Sequence, residues 1–172
     1  LPAVLRSGDW TLNVRLHGSE AIGFSPAGAP LLGLAVDLGT TNVAGFLIDL
    51  RSGARLASLG IENPQVAWGA DVVSRINHAM HDAASAEHLR NAAIAAINAI
   101  AHDLAQAVGA SAADIVDVAV CGNTAMHHLL AGLPVRQLGR APFVAAAREA
   151  MDVKARDLGL SVCPGAYIHL AP

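Results

Sequence analysis

Residues 34–50 read LAVDLGTTNVAGFLIDL, and this stretch limits the fold more than any other. An apolar run ends on Asp37, turns through Gly39, Thr40 and Thr41, and resumes as a second apolar, β-branched run. A strand therefore follows the turn, and the turn joins two antiparallel strands. The familiar glycine-rich phosphate loops instead lead a strand into a helix N-terminus, and neither GxGxxG nor GxxxxGK[ST] occurs in this chain. A hairpin tip can still take an anion, because consecutive amides and hydroxyls form a concavity. Gly39 lets the backbone come close, Thr40 and Thr41 add hydroxyl donors, and Asn42 is placed to brace the turn. Asp37 repels a phosphate unless a divalent cation lies between them, held directly or through water. The plainer alternative makes Asp37 an Asx turn, with Thr40 and Thr41 as turn-compatible residues.

The flanking pattern predicts the rest of an α/β domain. Strand-like runs occupy 32–37, 43–50 and 54–61, with RSG at 51–53 as the turn between the second and third. Helical spacing then takes over at 70–81 and 86–108, the second stopped by Gly109. SAAD at 111–114 has the form of a capping box, but the β-rich IVDVAVCG that follows predicts a strand over 115–121. A short helix over 123–131 and a strand over 166–170 complete the order. Three antiparallel strands followed by helical crossovers imply a mixed sheet covered by helices. Upstream, DWTLNVRL at 9–16 alternates, with Trp10, Leu12, Val14 and Leu16 on one face and Thr11, Asn13 and Arg15 on the other. That predicts a half-buried strand, and the Pro- and Gly-containing GFSPAGAPLLG predicts a linker after it. The expected division is 1–29 as the end of a preceding domain and 30–172 as the main one.

Composition removes several functions. Hydrophobic residues make up 53% of the 172 and aromatics 3%, so the core rests on Ala, Val, Leu and Ile. A net charge of −3 leaves no electrostatic footprint for nucleic acid. No apolar stretch reaches the ~20 residues of a spanning helix, and 92–101, interrupted by Asn98, reads as a buried helix. Cys121 and Cys163 are far apart, which argues against a disulfide scaffold and against a cysteine-held zinc or iron–sulfur centre here. Without an initiator Met or signal peptide, the chain reads as a piece of a longer cytoplasmic protein.

DLGTTN followed by a hairpin resembles the first phosphate motif of the actin, heat-shock-chaperone and sugar-kinase ATPases, whose ribonuclease-H-like subdomain has this element order. A narrower resemblance rests on GLAVDLGTTNVA, NPQVAWGADVVSRI, CGNTAMHHLLAG, LGRAPF and GAYIHLAP. Together these are similar to the reductive activators of corrinoid proteins. The resemblance covers about 31–172 and makes that region the first half of the ATPase domain, with 1–29 the end of the family's middle domain. It implies ATP and Mg²⁺ as cofactors, with Asp37 positioning the cation and Gly39, Thr40, Thr41 and Asn42 at the phosphates. It implies a corrinoid protein of a methyltransferase system as partner, returned from Co(II) to Co(I), and leaves room for a homodimer through the ATPase domain. The family's two-iron two-sulfur cluster would sit in an N-terminal domain absent from these residues, and the second phosphate motif beyond residue 172. A small-molecule kinase of the same superfold and a non-enzymatic interaction module are the rival readings.

Asn123 and Thr124 stand where a strand hands over to a helix. They are expected either as a helix cap or as residues of the cleft floor that orient water or sense the γ-phosphate. His127 and His128 diverge by about 100° on a helix and read as core or surface residues. His78 and His81, with Asp82 beside them, have no further ligand at metal spacing and read as a solvated face. Asp71 and Arg75 have the spacing of a helix-surface ion pair, with a functional role the alternative that their place in WGADVVSRI raises, and Trp68 reads as a core lid rather than an exposed docking residue. Cys121 is expected as a small buried hydrophobe and Cys163 as a free loop thiol.

Overall fold

Alternation along three adjacent runs builds the sheet. The computed structural model describes residues 2–7 and 9–171. Strand β3 (Leu32–Leu38) turns Leu32, Leu34, Val36 and Leu38 to one side, all buried. In β4 (Asn42–Asp49), Val43, Gly45 and Leu47 point the same way, opposite Leu38, Val36 and Leu34 of β3. β5 (Arg55–Glu62) adds Ala57, Leu59 and Ile61 to that face. β6 (Ile115–Gly122) pairs with β3 in parallel and contributes Val118 and Val120. β8 (Tyr167–Leu170) lies parallel beyond β6, and β7 (Met151–Lys154) is antiparallel at the edge. The six strands run in the order β5-β4-β3-β6-β8-β7. This mixed sheet is the expected one, and the three predicted hairpin strands fall within a residue of their observed limits.

One helix covers most of the apolar face. α3 (Ala83–Ala107) buries Leu89, Ala93, Ile97, Ile100 and Leu104, one stripe at helical spacing, and packs on β3, β4 and β5. Gly45 admits it: a Cβ there would collide with Ile100 Cγ2 and lie 3.3 Å from Leu104 Cδ1. α2 (Val72–Ala79), α4 (Thr124–Ala131) and the short α5 (Ala155–Leu158) complete the helical elements of the main unit. The opposite sheet face, with Ala35, Asp37, Ala44, Phe46, Ala119 and Cys121, is half-buried or exposed. No helix of the described residues is long and apolar enough to cross a membrane.

The N-terminal part departs from expectation. α1 (Pro2–Ser7) precedes a two-stranded hairpin, β1 (Leu12–His17) and β2 (Glu20–Pro26), so half of the expected linker is strand. Asp9 and Trp10 have positive φ and lie before the strand rather than in it. The faces of β1 are reversed: Val14 and Leu16 are exposed, as is Trp10, while Arg15 is buried at 6% exposure. Hydrogen bonding decides this. The Arg15 guanidinium donates to Ala113 O, Pro30 O and the Asp114 carboxylate at 2.6 Å, anchoring the hairpin to the turn before β6. A buried charge so satisfied is tolerated where an unpaired one would not be. The hairpin is further held by Glu20, which accepts from Lys154 Nζ and from the Tyr167 hydroxyl.

The remaining differences are local. The predicted helix over 70–81 forms as α2, Val72–Ala79, and a 3₁₀ turn that was not expected, Pro64–Trp68, precedes it, with Gly69 between them. The capping box at Ser111 exists, but on a single 3₁₀ turn, Ala112–Asp114, before β6 begins as expected. β7 and α5 carried no periodicity long enough to read in advance.

Candidate functional site

β3 and β6 are parallel, and both lead out of the sheet at the same end. There β3 gives the hairpin tip at 39–41, and β6 gives the start of α4. In open α/β sheets ligands bind outside the carboxyl ends of the strands, where neighbouring connections diverge. Asp37 stands one residue before the end of β3, on the open face, in register with Cys121 of β6. Among the described residues no donor is hydrogen-bonded to its carboxylate, so the Asx-turn alternative is not what forms here. Gly39 closes the approach between the strand ends: a Cβ would lie 2.7 Å from Asn42 O.

The tip is fixed from behind. Asn63, wholly buried, donates from Nδ2 to Gly39 O at 2.7 Å and from its backbone amide to Thr41 O at 2.8 Å. Arg75, also wholly buried, donates from a terminal nitrogen to Thr40 O at 2.5 Å. All three tip carbonyls are thus turned into the protein. The amides of Gly39, Thr40 and Thr41 are bonded to no acceptor among the described residues. Asn42 was expected to brace the turn, but it opens β4 opposite Glu62 while Asn63 does the bracing.

Asn123 joins the two halves of the site. Its Oδ1 accepts from the amides of Ala125 and Met126, capping α4, and its Nδ2 donates to Thr40 Oγ1 at 3.1 Å. Asn123 is therefore the helix cap, as the first alternative has it, and it also touches the hairpin tip. Thr124 begins α4 with an exposed side chain, and its carbonyl accepts from His128 Nδ1 at 2.7 Å. That bond assigns the proton to Nδ1, leaving Nε2 to accept the amides of Ala146 and Ala147 at 3.1 and 3.3 Å. His128 thereby fastens the 138–150 segment to α4. His127 is buried with Nε2 unpartnered, and burial, with a smaller effect of His128, pushes its pKa below the ordinary histidine value.

Several other expectations are corrected. Arg75 is not a surface partner of Asp71. Asp71 caps α2 through the Ser74 amide, which holds its carboxyl below the usual range. Cys121 is exposed where a buried residue was expected, and Cys163 is the free loop thiol expected, with its side chain buried. Strand alternation puts Cys121 on the open face, and Cys163 packs under β2 with its thiol directed at Ile22 O. Trp68 is a partial lid, 36% exposed and stacked with His88. Asn63 and Gln65 were missed as site residues, and Arg75 was weighed for a functional role only as the partner of Asp71. Their signal was a run of polar side chains in a segment otherwise bound for the core, which sequence alone cannot tell from a polar surface turn.

The donor set suits a magnesium–phosphate group. Mg²⁺ is typically held by one or two carboxylates with phosphate oxygens and water completing the octahedron, so a single free carboxylate beside free amides is sufficient. Among the described residues no cluster of three or more His, Cys, Asp or Glu side chains forms a self-contained metal cage.

Known proteins are similar in sequence and fold. Residues 32–172 match the family described as RACo middle region. The corrinoid activation enzyme RamQ of Eubacterium limosum is 32% identical over 164 residues, covering 94% of this chain and 28% of that protein. A solved reductive activator for corrinoid, iron-sulfur protein superposes on 100% of this chain with a TM-score of 0.85 and 31% identity, again over 28% of its own length. The chain spans little more than a quarter of these relatives. It belongs to the reductive activators of corrinoid proteins, and residues 32–172 correspond to the region described for that family as its middle.

Proposed function

We propose that this chain supplies one wall of a magnesium–ATP site in an activator that returns a Co(II) corrinoid to Co(I) on a methyltransferase partner. The observation that carries the reading is the meeting of a free Asp37 carboxylate with the free amides of Gly39, Thr40 and Thr41, beside a capped helix start that Asn123 ties to Thr40. The strand order supports it as well. Three antiparallel strands with two parallel ones beyond the first suit the ribonuclease-H-like subdomain of an actin-like ATPase. The names of the relatives supply the corrinoid context.

In this reading Asp37 holds the cation, directly or through water. The tip amides and the hydroxyls of Thr40 and Thr41 hold phosphate oxygens, and Asn123 orients the Thr40 hydroxyl. Thr124 lines the cleft beside it. When bound, Mg²⁺ neutralises phosphate charge and so favours transfer to water. The opposite wall belongs to the remainder of the full-length protein. So does the two-iron two-sulfur cluster to which we assign the origin of the electron, since the two cysteines here are far apart. ATP turnover changes the fit between activator and corrinoid protein, and the same domain offers a surface for a homodimer.

The test uses the full-length protein purified anaerobically. Visible bands that bleach on reduction, and Co(I) absorbance that grows only with Mg-ATP and is lost in Asp37→Asn, are the expected results. A colourless, iron-free protein, or Co(I) formation indifferent to ATP and to Asp37, overturns the proposal.

A further inference from the structure

A charged side chain with no solvent exposure needs a reason. Arg75 has none, and among the described residues no carboxylate is hydrogen-bonded to it. Its guanidinium is satisfied by neutral acceptors alone: Thr40 O at 2.5 Å, Gly69 O at 2.9 Å and Gln65 Oε1 at 3.1 Å, with Met126 Sδ at 3.3 Å. Asp71, one helical turn away, is engaged in capping α2 and reaches it only through space. Gln65 completes the assembly. Its Oε1 accepts from both Arg75 and Asn63, and its Nε2 donates to Leu89 O of α3 at 2.9 Å. Gly69 is required beneath it, because a Cβ there would meet Arg75 N at 2.8 Å.

Two properties follow from this geometry. The carbonyls of Gly39, Thr40 and Thr41 are each fixed by a wholly buried residue that is anchored through Gln65 to the longest helix. The hairpin tip is thus locked with its acceptors inward and its amides free. The assembly also keeps an uncompensated positive charge directly behind that tip. Preorganised dipoles and charge in a low-dielectric setting are worth most where an anion is to be bound.

We infer that Arg75, with Asn63 and Gln65, is a positioning clamp that sets the hairpin tip for an anionic phosphate and supplies the charge that the phosphate neutralises. This rests on the magnesium–phosphate reading of the site and adds the residues that make the tip competent. None of the three touches the phosphate; they act through the carbonyls of 39–41.

The experiment measures binding of Mg-ATP and of adenosine to the full-length protein, by calorimetry, for wild type, Arg75→Lys, Arg75→Met and Asp37→Asn. Arg75→Lys keeps the charge and most of the volume but cannot span three acceptors. It is expected to weaken Mg-ATP on the order of tenfold, the scale of one lost charge-assisted hydrogen bond, with adenosine unchanged. Arg75→Met, without charge or donors, is expected to weaken Mg-ATP further. If it does not fold, Arg75→Lys carries the test alone. Wild-type affinity for Mg-ATP in Arg75→Lys, alongside lost affinity in Asp37→Asn, refutes the clamp and leaves the site standing. Equal losses for ATP and adenosine also refute it, since a general loosening of the fold moves both ligands together. Failure of wild type to bind Mg-ATP removes the underlying reading and the clamp with it.

Discussion

Asn123 is one residue with two roles that can be separated by substitution. Its Oδ1 caps α4 through two amides, at 3.0 and 3.1 Å, and its Nδ2 reaches Thr40 Oγ1 of the hairpin tip at 3.1 Å. Asn123→Ala removes both contacts. Loss of the cap costs about 0.5–2 kcal/mol, and the exposed bond to Thr40 adds a fraction of about 1 kcal/mol. Asn123→Asp keeps an oxygen for the cap, and the negative charge suits a helix N-terminus, so stability holds. What it loses is the donor to Thr40, and it brings a carboxylate to the tip proposed to take phosphate. Two like charges about 4 Å apart near a surface repel by roughly 1–4 kcal/mol, so Mg-ATP should bind at least about fivefold more weakly. The assay pairs urea unfolding of the 172-residue chain with Mg-ATP titration of the full-length protein. The expected pattern is a stability loss in Asn123→Ala alone, and an affinity loss in both. An Asn123→Asp protein that binds Mg-ATP like wild type would refute the placement of phosphate at this tip. An Asn123→Ala chain as stable as wild type would refute the capping argument.

Gly45→Ala should destabilise the chain by about 1–3 kcal/mol through overpacking against the stiff Ile100 side chain, read as a lower urea midpoint. Adding Ile100→Ala should recover part of the loss, and strict additivity would refute the contact. Because burial depresses the pKa of His127 from its unfolded value near 6.5, its contribution is intact above that value. That contribution declines as pH falls toward the folded pKa. Melting temperatures between pH 7.5 and 5 should therefore drop more steeply in wild type than in His127→Gln, and parallel curves would count against it. Cys121 should react with an alkylating reagent in the native state while Cys163 reacts only on unfolding, and mass spectrometry of the labelled peptides decides it.

The sheet was legible because its apolar runs are short, alternating and separated by turn residues. In the hairpin the side-chain period and the turn chemistry agree, so limits fell within a residue. α3 was equally plain, with one stripe of Leu and Ile in an alanine background. Alternation failed in β1 because it identifies two faces without saying which is buried. Two carbonyls and one carboxylate gathered around Arg15 outweighed the apolar side chains across the strand. The same ambiguity misplaced Cys121: it belongs by period to the open face of a sheet covered on the other side, and nothing local says which side the helices take.

The site divides along the same line. Asp37, Gly39, Thr40 and Thr41 fall within the single stretch 37–41, and a turn that leads into a strand is what made them candidates. Asn123 was visible as a cap because capping is local. Its bond to Thr40 spans 83 positions and depends on β3 and β6 being parallel neighbours. The clamp is harder still. Arg75 and Asp71 have the spacing of a surface ion pair, and on an isolated helix they would form one. Two features of the fold prevent it: Asp71 is drawn to the helix start by the Ser74 amide, and Gly69 opens a path for the guanidinium beneath the hairpin. A buried arginine satisfied only by carbonyl, amide and thioether acceptors carries a desolvation cost that no hydrogen-bonded carboxylate among the described residues offsets. Its charge becomes useful only if an anion arrives in front of the tip. The clamp and the free Asp37 carboxylate thus point to one ligand, a phosphate accompanied by its own cation.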